Sequence, residues 1–119
     1  MANPNIVNVS NILGKSIGGV VSTNLISVLA NNTSDSVYKV NTIIVSNVDG
    51  INAADITARF YDGVQDNWAI ASTVTVPSDA TLVVLSKQTA IYLEPSQEIK
   101  LQANVNGDLE YVISYEIIS

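Results

Sequence analysis

The chain has 119 residues, a formal net charge of −6, and neither histidine nor cysteine. Valine and isoleucine together supply 30 residues, and such β-branched side chains favour strands over helices. The composition excludes disulfides, thiolate nucleophiles, histidine bases, and the zinc or iron–sulfur centres built on those ligands. The five basic residues are scattered singly, so neither nucleic acid nor an anionic membrane is an expected partner.

The N-terminal segment is apolar and is followed by glycines. Its apolar side chains are candidate partner-binding residues, namely Ile6, Val7, Val9, Ile12 and Leu13. Gly14 and the pair Gly18-Gly19 come next and make the backbone permissive. Two structures are therefore open for residues 1–19: an extended N-terminal arm that adds a strand to a neighbouring chain, or the first strand of the chain's own sheet.

Residues 17–30 are the most ambiguous segment. Val21, Leu25 and Val28 fit a helical stripe, but the glycine pair and the β-branched content favour an extended chain. Polar residues interrupt the segment, which is also too short to span a bilayer. No signal sequence precedes it, so we expect a protein that is made in the cytoplasm and stays soluble.

Strict alternation of apolar and polar residues marks several later segments as strands. Residues 98–105 place four apolar side chains on one face, Ile99, Leu101, Ala103 and Val105. The faces expected to be buried in 56–61 and 70–76 consist of Ile56, Ala58, Phe60, Ile70, Val74 and Val76. A period of two indicates strands with one buried face and one solvent-exposed face.

Three further segments are apolar on both faces. Residues 82–85 and 91–93 are apolar throughout, which predicts strands covered on both sides. Residues 109–118 carry Val112 and Ile118 opposite four other apolar residues, Tyr111, Ile113, Tyr115 and Ile117. The two apolar faces of this last segment make it a candidate subunit interface.

Turn-forming residues separate these segments at short intervals. They include Asp49-Gly50, Asp62-Gly63, Pro77-Ser78-Asp79, Glu94-Pro95-Ser96 and Asn106-Gly107. Short β-rich runs between regular turns predict one all-β domain over residues 1–119. We expect a single antiparallel β-sandwich, jelly-roll or immunoglobulin-like, with about eight or nine strands and an extended N-terminal arm.

Two fragments imitate catalytic motifs but lack essential parts. Gly14-Lys15-Ser16 matches the end of a phosphate-binding loop, yet Val9 stands where that loop needs its first glycine. The segment 36–39 matches Ser-x-x-Lys without the companion motifs of serine acyl-transfer enzymes. We therefore expect no enzyme, no cofactor and no small-molecule substrate.

Acidic residues gather near two turns. Asp49 and Asp55 lie near the first turn and Asp62 and Asp66 near the second, without the spacing of a calcium loop. We expect solvated turn carboxylates and no metal site. Trp68 follows the second turn and is the only tryptophan. Burial is the expectation for it, and an exposed platform for a carbohydrate or another partner is the alternative.

Several segments of the sequence resemble small structural proteins of tailed phages, particularly marine cyanophages. They are residues 2–9 (ANPNIVNV), 39–47 (KVNTIIVSN), 52–57 (NAADIT), 76–84 (VPSDATLVV), 91–94 (IYLE) and 114–119 (SYEIIS). The resemblance extends over nearly the whole chain. It contains no catalytic signature, and no active-site residue is carried over from it.

The resemblance implies a virion component, with a decoration or cement protein on the outer surface of the head as the expected role. Such proteins are commonly small, sandwich-like and trimeric, so the implied partners are the major capsid protein and further copies of this chain. Clamping would rest on many weak contacts that add by avidity. A tail, neck or fibre component of the virion is the first alternative, and a carbohydrate-binding module is the second.

Overall fold

A computed structural model describes residues 11–119 as two antiparallel sheets packed face to face. The predicted all-β sandwich is therefore confirmed, with nine strands in this range. The strands are β1 (Ile12–Val20), β2 (Ile26–Ala30), β3 (Val37–Asn47), β4 (Ala54–Tyr61), β5 (Asn67–Val76), β6 (Thr81–Leu85), β7 (Ile91–Leu93), β8 (Glu98–Ala103) and β9 (Leu109–Ile118). A short 3₁₀ turn over Lys87–Thr89 joins β6 to β7.

The strand order is that of a jelly roll. The first sheet runs β1-β9-β3-β6, with the short β7 also paired to β3, and the second runs β2-β8-β4-β5. The pairs β1–β9, β2–β8, β3–β6 and β4–β5 are nested, as in one long hairpin rolled into two layers. An immunoglobulin-type sandwich keeps its first two strands in one sheet, whereas here β1 and β2 lie in different sheets.

The core forms where the inward faces of the two sheets meet. In β8 the alternation predicted from the sequence holds, since Ile99, Leu101 and Ala103 are buried and the residues between them are not. Ile56 and Ala58 of β4 are buried in the same layer. Each such Ile or Leu contributes on the order of 1.5–3 kcal/mol when it is fully removed from water.

Two predicted strands differ from expectation in their exposure. Residues 82–85 and 91–93 were expected to be covered on both faces, but Val83 and Tyr92 are exposed. That expectation is wrong because β6 and β7 both lie at one edge of the first sheet. A strand in a two-layer sandwich packs one face on the core and turns the other to solvent. Val105, expected on a buried face, lies beyond the end of β8 and is also exposed.

The N-terminal part of the described chain is a strand. Residues 17–20 and 26–30 are extended, as the glycine pair and the β-branched content predicted, and lie in β1 and β2, with a bent connection over 21–25. Of the candidate arm at 1–19, residues 12–19 lie in β1 and pair with β9 of the same chain. Residues 12–19 therefore belong to the first strand of the chain's own sheet and do not form a separate arm. Residues 1–10 lie outside the described range.

Two buried asparagines join the sheets at opposite ends of β3. The Asn31 amide nitrogen donates to the carbonyl oxygens of Ser36 and Leu93, both at 2.9 Å. The Asn47 amide nitrogen donates to the carbonyl oxygens of Asn52 at 3.0 Å and Val76 at 2.9 Å. Each therefore satisfies carbonyl groups that the strand ladders leave unpaired in the interior.

Candidate interaction surface

The outer edge of β1 carries backbone groups that no strand within residues 11–119 pairs with. The Asn11 N–H donates to the Ser119 carbonyl oxygen at 2.9 Å, the Ser119 N–H donates back at 3.0 Å, and the Val21 N–H donates to the Leu109 carbonyl oxygen at 2.9 Å. Antiparallel pairing alternates, so the odd-numbered residues of β1 bond to β9 and the even-numbered ones point their N–H and C=O groups away. The outward-pointing residues are Ile12, Gly14, Ser16, Gly18 and Val20.

This edge is long and regular. β1 pairs with β9 over nine consecutive residues without a register shift. By contrast, the edge strand β5 has two register shifts against β4, and its Thr73 has a φ of 51°. Bulges of this kind protect a sheet edge from further strands, whereas a flat, unbulged edge invites them. Within β1 only Lys15 carries a charge that would discourage pairing.

An apolar row crosses the outer face of the first sheet. Gly18 of β1 is paired with Val112 of β9, Val112 with Ile44 of β3, and Ile44 with Val83 of β6. Val112 is 45% exposed and Val83 is 59% exposed. The registers therefore bring four apolar positions from four strands into one line that faces solvent.

Hydroxyl groups flank the apolar row on both sides. Ser16 and Ser114 are hydrogen-bonded through their side-chain oxygens at 3.3 Å, and Ser46 and Thr81 are likewise bonded at 2.9 Å. At the Glu110 side of the row a shallow groove lies between β1 and β9. A Cβ atom at Gly18 would lie 3.1 Å from the Tyr111 carbonyl oxygen, so a side chain there would crowd the backbone beneath this groove.

The outer face of the second sheet is polar. Glu98, Lys100 and Gln102 alternate with the buried residues of β8, and Thr57 and Arg59 do so in β4. The Lys100 ammonium lies 4.4 Å from the centre of the Tyr61 ring, within the range of a cation–π contact. The two outer faces thus differ in chemistry, and the contiguous apolar row belongs to the first sheet.

The candidate partner-binding residues are distributed as follows. Ile12 and Leu13 lie at the start of β1 and are 61% and 53% exposed, so both are available for contact. Ile6, Val7 and Val9 lie outside the described residues. Ser16, Ile44 and Val83 were not among the residues predicted from the sequence. The sequence indicates Ser16 only through its position, two residues from Gly14 and Gly18 on the same face of β1. The apolar row cannot be recognised until the strand registers are known.

Trp68 is exposed, which corrects the expectation of burial. Its side chain is 58% exposed at the start of β5, opposite Phe60. The indole N–H donates to an Asp62 carboxylate oxygen at 3.4 Å. The other strongly exposed aromatic residue among those described, Tyr92, belongs to the first sheet, so the two rings do not lie on one strand pair. Trp68 therefore offers a single ring and one polar neighbour as a platform.

The acidic residues at the turns serve the backbone. One Asp49 carboxylate oxygen accepts the Ile51 N–H at 2.8 Å, and this bond holds the Asp49 pKa below its ordinary value. One Asp62 oxygen accepts the Val64 N–H at 2.9 Å, which likewise lowers the Asp62 pKa. Desolvation and the negative charge of Asp49 raise the pKa of Asp108. Within residues 11–119 no three histidine, cysteine or acidic side chains gather in a manner that could hold a metal ion.

No family model matches this chain, and no curated protein matches it. Among solved structures it is similar to a chain from Bacillus endospore appendages, described as "a novel family of disulfide-linked pili". That match has a TM-score of 0.52 and 13% sequence identity, and covers 89% of this chain and 85% of the other. At this identity the likeness concerns the fold, and it supports the β-sandwich. In the part of the chain that the structure describes, no helix has the length and apolar character to cross a membrane.

Proposed function

We propose that this chain is a structural subunit of a tailed-phage virion, which acts as a head decoration protein through protein–protein contacts and without catalysis. The observation that carries the proposal is the exposed side of the first sheet. There an unpaired strand edge lies beside an apolar row over Gly18, Val112, Ile44 and Val83. Exposed apolar surface that is contiguous across strands is typical of interaction sites.

Clamping of neighbouring capsid subunits is the mechanism that this surface suits. The apolar row supplies area to bury, and the flanking hydroxyl groups supply hydrogen bonds at its rim. Each contact is weak by itself, and several copies or several contacts per copy add by avidity. The resemblance of the sequence to virion proteins of tailed phages supports the capsid as the partner, on the outside of the particle.

The similar solved structure from Bacillus endospore appendages also supports a structural role. It comes from pili, which are assemblies of protein subunits, so the shared sandwich is one that occurs in a structural protein. Those pili are disulfide-linked, whereas this chain contains no cysteine. Assembly of this chain therefore cannot use disulfides, and we propose non-covalent contacts through surfaces such as the first sheet.

Two alternatives use other observations. A tail, neck or fibre component of the virion would use the same exposed sheet at a lower copy number. A carbohydrate-binding module would use Trp68, whose exposed ring lies beside the carboxylate of Asp62. Glycan binding that disappears in Trp68→Ala would favour the second alternative over the proposal.

The copy number of the chain in purified virions tests the proposal. Quantitative mass spectrometry against the major capsid protein should return a ratio near one chain per capsid subunit, because a decoration protein covers the whole head. A ratio far below that would place the chain in the tail or neck. Absence of the chain from washed particles would overturn the virion role altogether.

A further inference from the structure

The unpaired edge of β1 is complementary to itself. Its outward-pointing residues read Ile12, Gly14, Ser16, Gly18 and Val20 along the strand. If a second copy of the strand is placed antiparallel with its Ser16 opposite Ser16 of the first, Gly14 lies opposite Gly18. Ile12, which is apolar, then lies opposite Val20, which is also apolar. Strands that pair antiparallel around a two-fold axis need this kind of reversal symmetry, because each residue meets its mirror position.

We propose that two copies of this chain join through their β1 strands, antiparallel and with Ser16 on the two-fold axis. Ile12 then lies opposite Val20 of the second copy, and Gly14 lies opposite Gly18 of the second copy. The two first sheets become one continuous sheet across the joint. This inference does not depend on the virion role, and it differs from the trimer that the phage resemblance implies.

The hydrogen bonds of this pairing are those that β1 leaves unused. Five outward-pointing residues on each copy form five hydrogen-bonded pairs, and each such pair exchanges two bonds, which gives about ten in total. A typical specific protein interface contains about ten direct hydrogen bonds. The pairing therefore satisfies the whole exposed edge with the number of bonds that a stable interface needs.

Side chains on both faces of β1 fit the same register. Ile12 and Val20 are 61% and 54% exposed in the single chain, and they would cover each other at both ends of the joint. On the other face Leu13 meets the bare backbone of Gly19, and Lys15 meets Ile17 of the second copy. The two lysines are therefore not directly opposed, and like charges do not face each other across the axis.

The charge of the chain also permits contact at this edge. The net charge of −6 opposes the approach of two copies over most surfaces. β1 contains no acidic residue, and its one charged side chain is that of Lys15. Ser16 on the axis is neutral and its side chain already bonds to Ser114, so two copies can meet there without repulsion.

A single cysteine tests the register. The chain has no cysteine, so Ser16→Cys introduces the only thiol. Hydrogen-bonded residues in antiparallel strands have Cα atoms about 5.5 Å apart, within the range that a disulfide bridges. We expect mild oxidation to convert Ser16→Cys into a covalent dimer. Thr81→Cys, exposed on the opposite edge of the same sheet, is the matched control and should stay uncross-linked.

A proline variant tests the hydrogen bonds without damage to the fold. The Ser16 N–H points away from β9, so Ser16→Pro removes two interchain backbone bonds per dimer and no backbone bond within the sheet. It also removes the exposed side-chain bond to Ser114, which Ser16→Ala removes alone and therefore controls for. Light scattering should give twice the chain mass of 12.6 kDa for the unmodified protein. The dimer dissociation constant of Ser16→Pro should rise by about tenfold or more, while its thermal melting should remain cooperative.

The outcomes separate the alternatives. A chain that stays monomeric at high micromolar concentration, or forms a trimer, overturns the β1 dimer. A dimer in which Ser16→Cys fails to cross-link and Ser16→Pro has no effect overturns it as well, since the contact then lies elsewhere. Loss of the dimer on deletion of residues 2–10, without cross-linking of Ser16→Cys, would identify the N-terminal segment as the occupant of the edge and also overturn the proposal.

Discussion

Two acidic side chains at the loops, Asp49 and Asp108, have shifted pKa values and therefore link the stability of the sandwich to pH. Asp49 and Asp108 belong to different loops, and each of the two side chains influences the pKa of the other. The Asp49 pKa is lowered, mainly by the Ile51 N–H. Its contribution to stability is therefore present above its unfolded pKa and is lost as pH falls. The Asp108 pKa is raised, mainly by desolvation, so Asp108 lowers stability as pH rises from 3.8 towards that raised value, and the full loss is present above it.

Asp108→Asn should stabilise the protein at neutral pH. The substitution removes the repulsion from Asp49 and supplies an amide that donates to the Asp49 carboxylate. The gain in melting temperature should shrink as pH falls from the raised Asp108 pKa towards 3.8, the ordinary pKa of aspartate. Below 3.8 it should vanish, because Asp108 is then protonated in both the folded and the unfolded chain. Melting curves across this pH range measure the effect.

Asp66→Asn is the control for the removal of one negative charge, since Asp66 lies in the exposed loop between β4 and β5. If Asp108→Asn gave the same gain at all pH values, or if Asp66→Asn gave an equal gain, the raised Asp108 pKa would not be the cause of the effect.

At the scale of elements, the turns differ in what they require of their glycines. Gly63, between β4 and β5, and Gly107, between β8 and β9, both have a φ of +86°. Residues with a Cβ atom rarely adopt this backbone conformation, so both positions favour glycine. A Cβ atom at Gly63 would also lie 3.1 Å from the Ser96 carbonyl oxygen, whereas a Cβ atom at Gly107 would meet no atom within 4 Å.

Alanine at these two positions should separate backbone strain from steric contact. Gly107→Ala should cost about 1 kcal/mol of unfolding free energy from the positive φ alone. Gly63→Ala should cost about 2 kcal/mol or more, because the loop between β7 and β8 must also move. Urea unfolding measures both, with Gly50→Ala as the control, since a Cβ atom there would make only ordinary contacts with the Asp79 carboxylate, the nearer oxygen at 3.6 Å. Equal losses for the two variants would mean that the Ser96 contact contributes nothing.

The edges of the two sheets are managed differently. β5 is interrupted twice, and both Ile70 and its neighbour Ala71 pack against the core as a result. The sequence pattern placed these two residues on opposite faces, which is what an unbulged strand would require. β1 has no such interruption, and this regularity is why we assign the interaction surface to the first sheet.

At the scale of the whole molecule, Asn31 and Asn47 hold the two layers together. Asn31 follows β2 of the second sheet and bonds to the carbonyl oxygen at the end of β7 in the first sheet. Asn47 ends β3 of the first sheet and bonds to the carbonyl oxygen at the end of β5 in the second. Because both amides are buried and donate twice, each joins the layers at one end of the sandwich.

Asn31→Asp and Asn47→Asp should each destabilise the whole fold. A carboxylate has the shape of the amide but donates no hydrogen bond when ionised, so two buried carbonyl groups lose their partner. We expect a loss of about 3 kcal/mol or more in each case at neutral pH, as measured by urea unfolding. Asn32→Asp, at an exposed neighbour, should change stability by less than about 0.5 kcal/mol. A loss below about 1 kcal/mol at Asn31 would show that the amide does not join the sheets.

The candidate surface was only partly predictable. Ile12, Leu13 and the second apolar face around Val112 were recognised from the sequence, because apolar residues at strand positions are visible in the pattern. The alignment of Val112 with Ile44 and Val83 was not, since it depends on pairings between residues that are far apart in the chain. The exposure of Trp68 was missed for a similar reason, because a lone tryptophan gives no periodicity.

The class of fold and the positions of most strands follow from the amino-acid sequence alone. Period-two alternation in β4 and β8, β-branched content and regular turns depend only on local steric preferences and on the two faces of a strand. The strands that lie at the edges, the registers that bring the apolar row together and the unpaired side of β1 became visible only in the folded chain. These features depend on long-range pairing, in which each strand meets partners that its own residues do not specify.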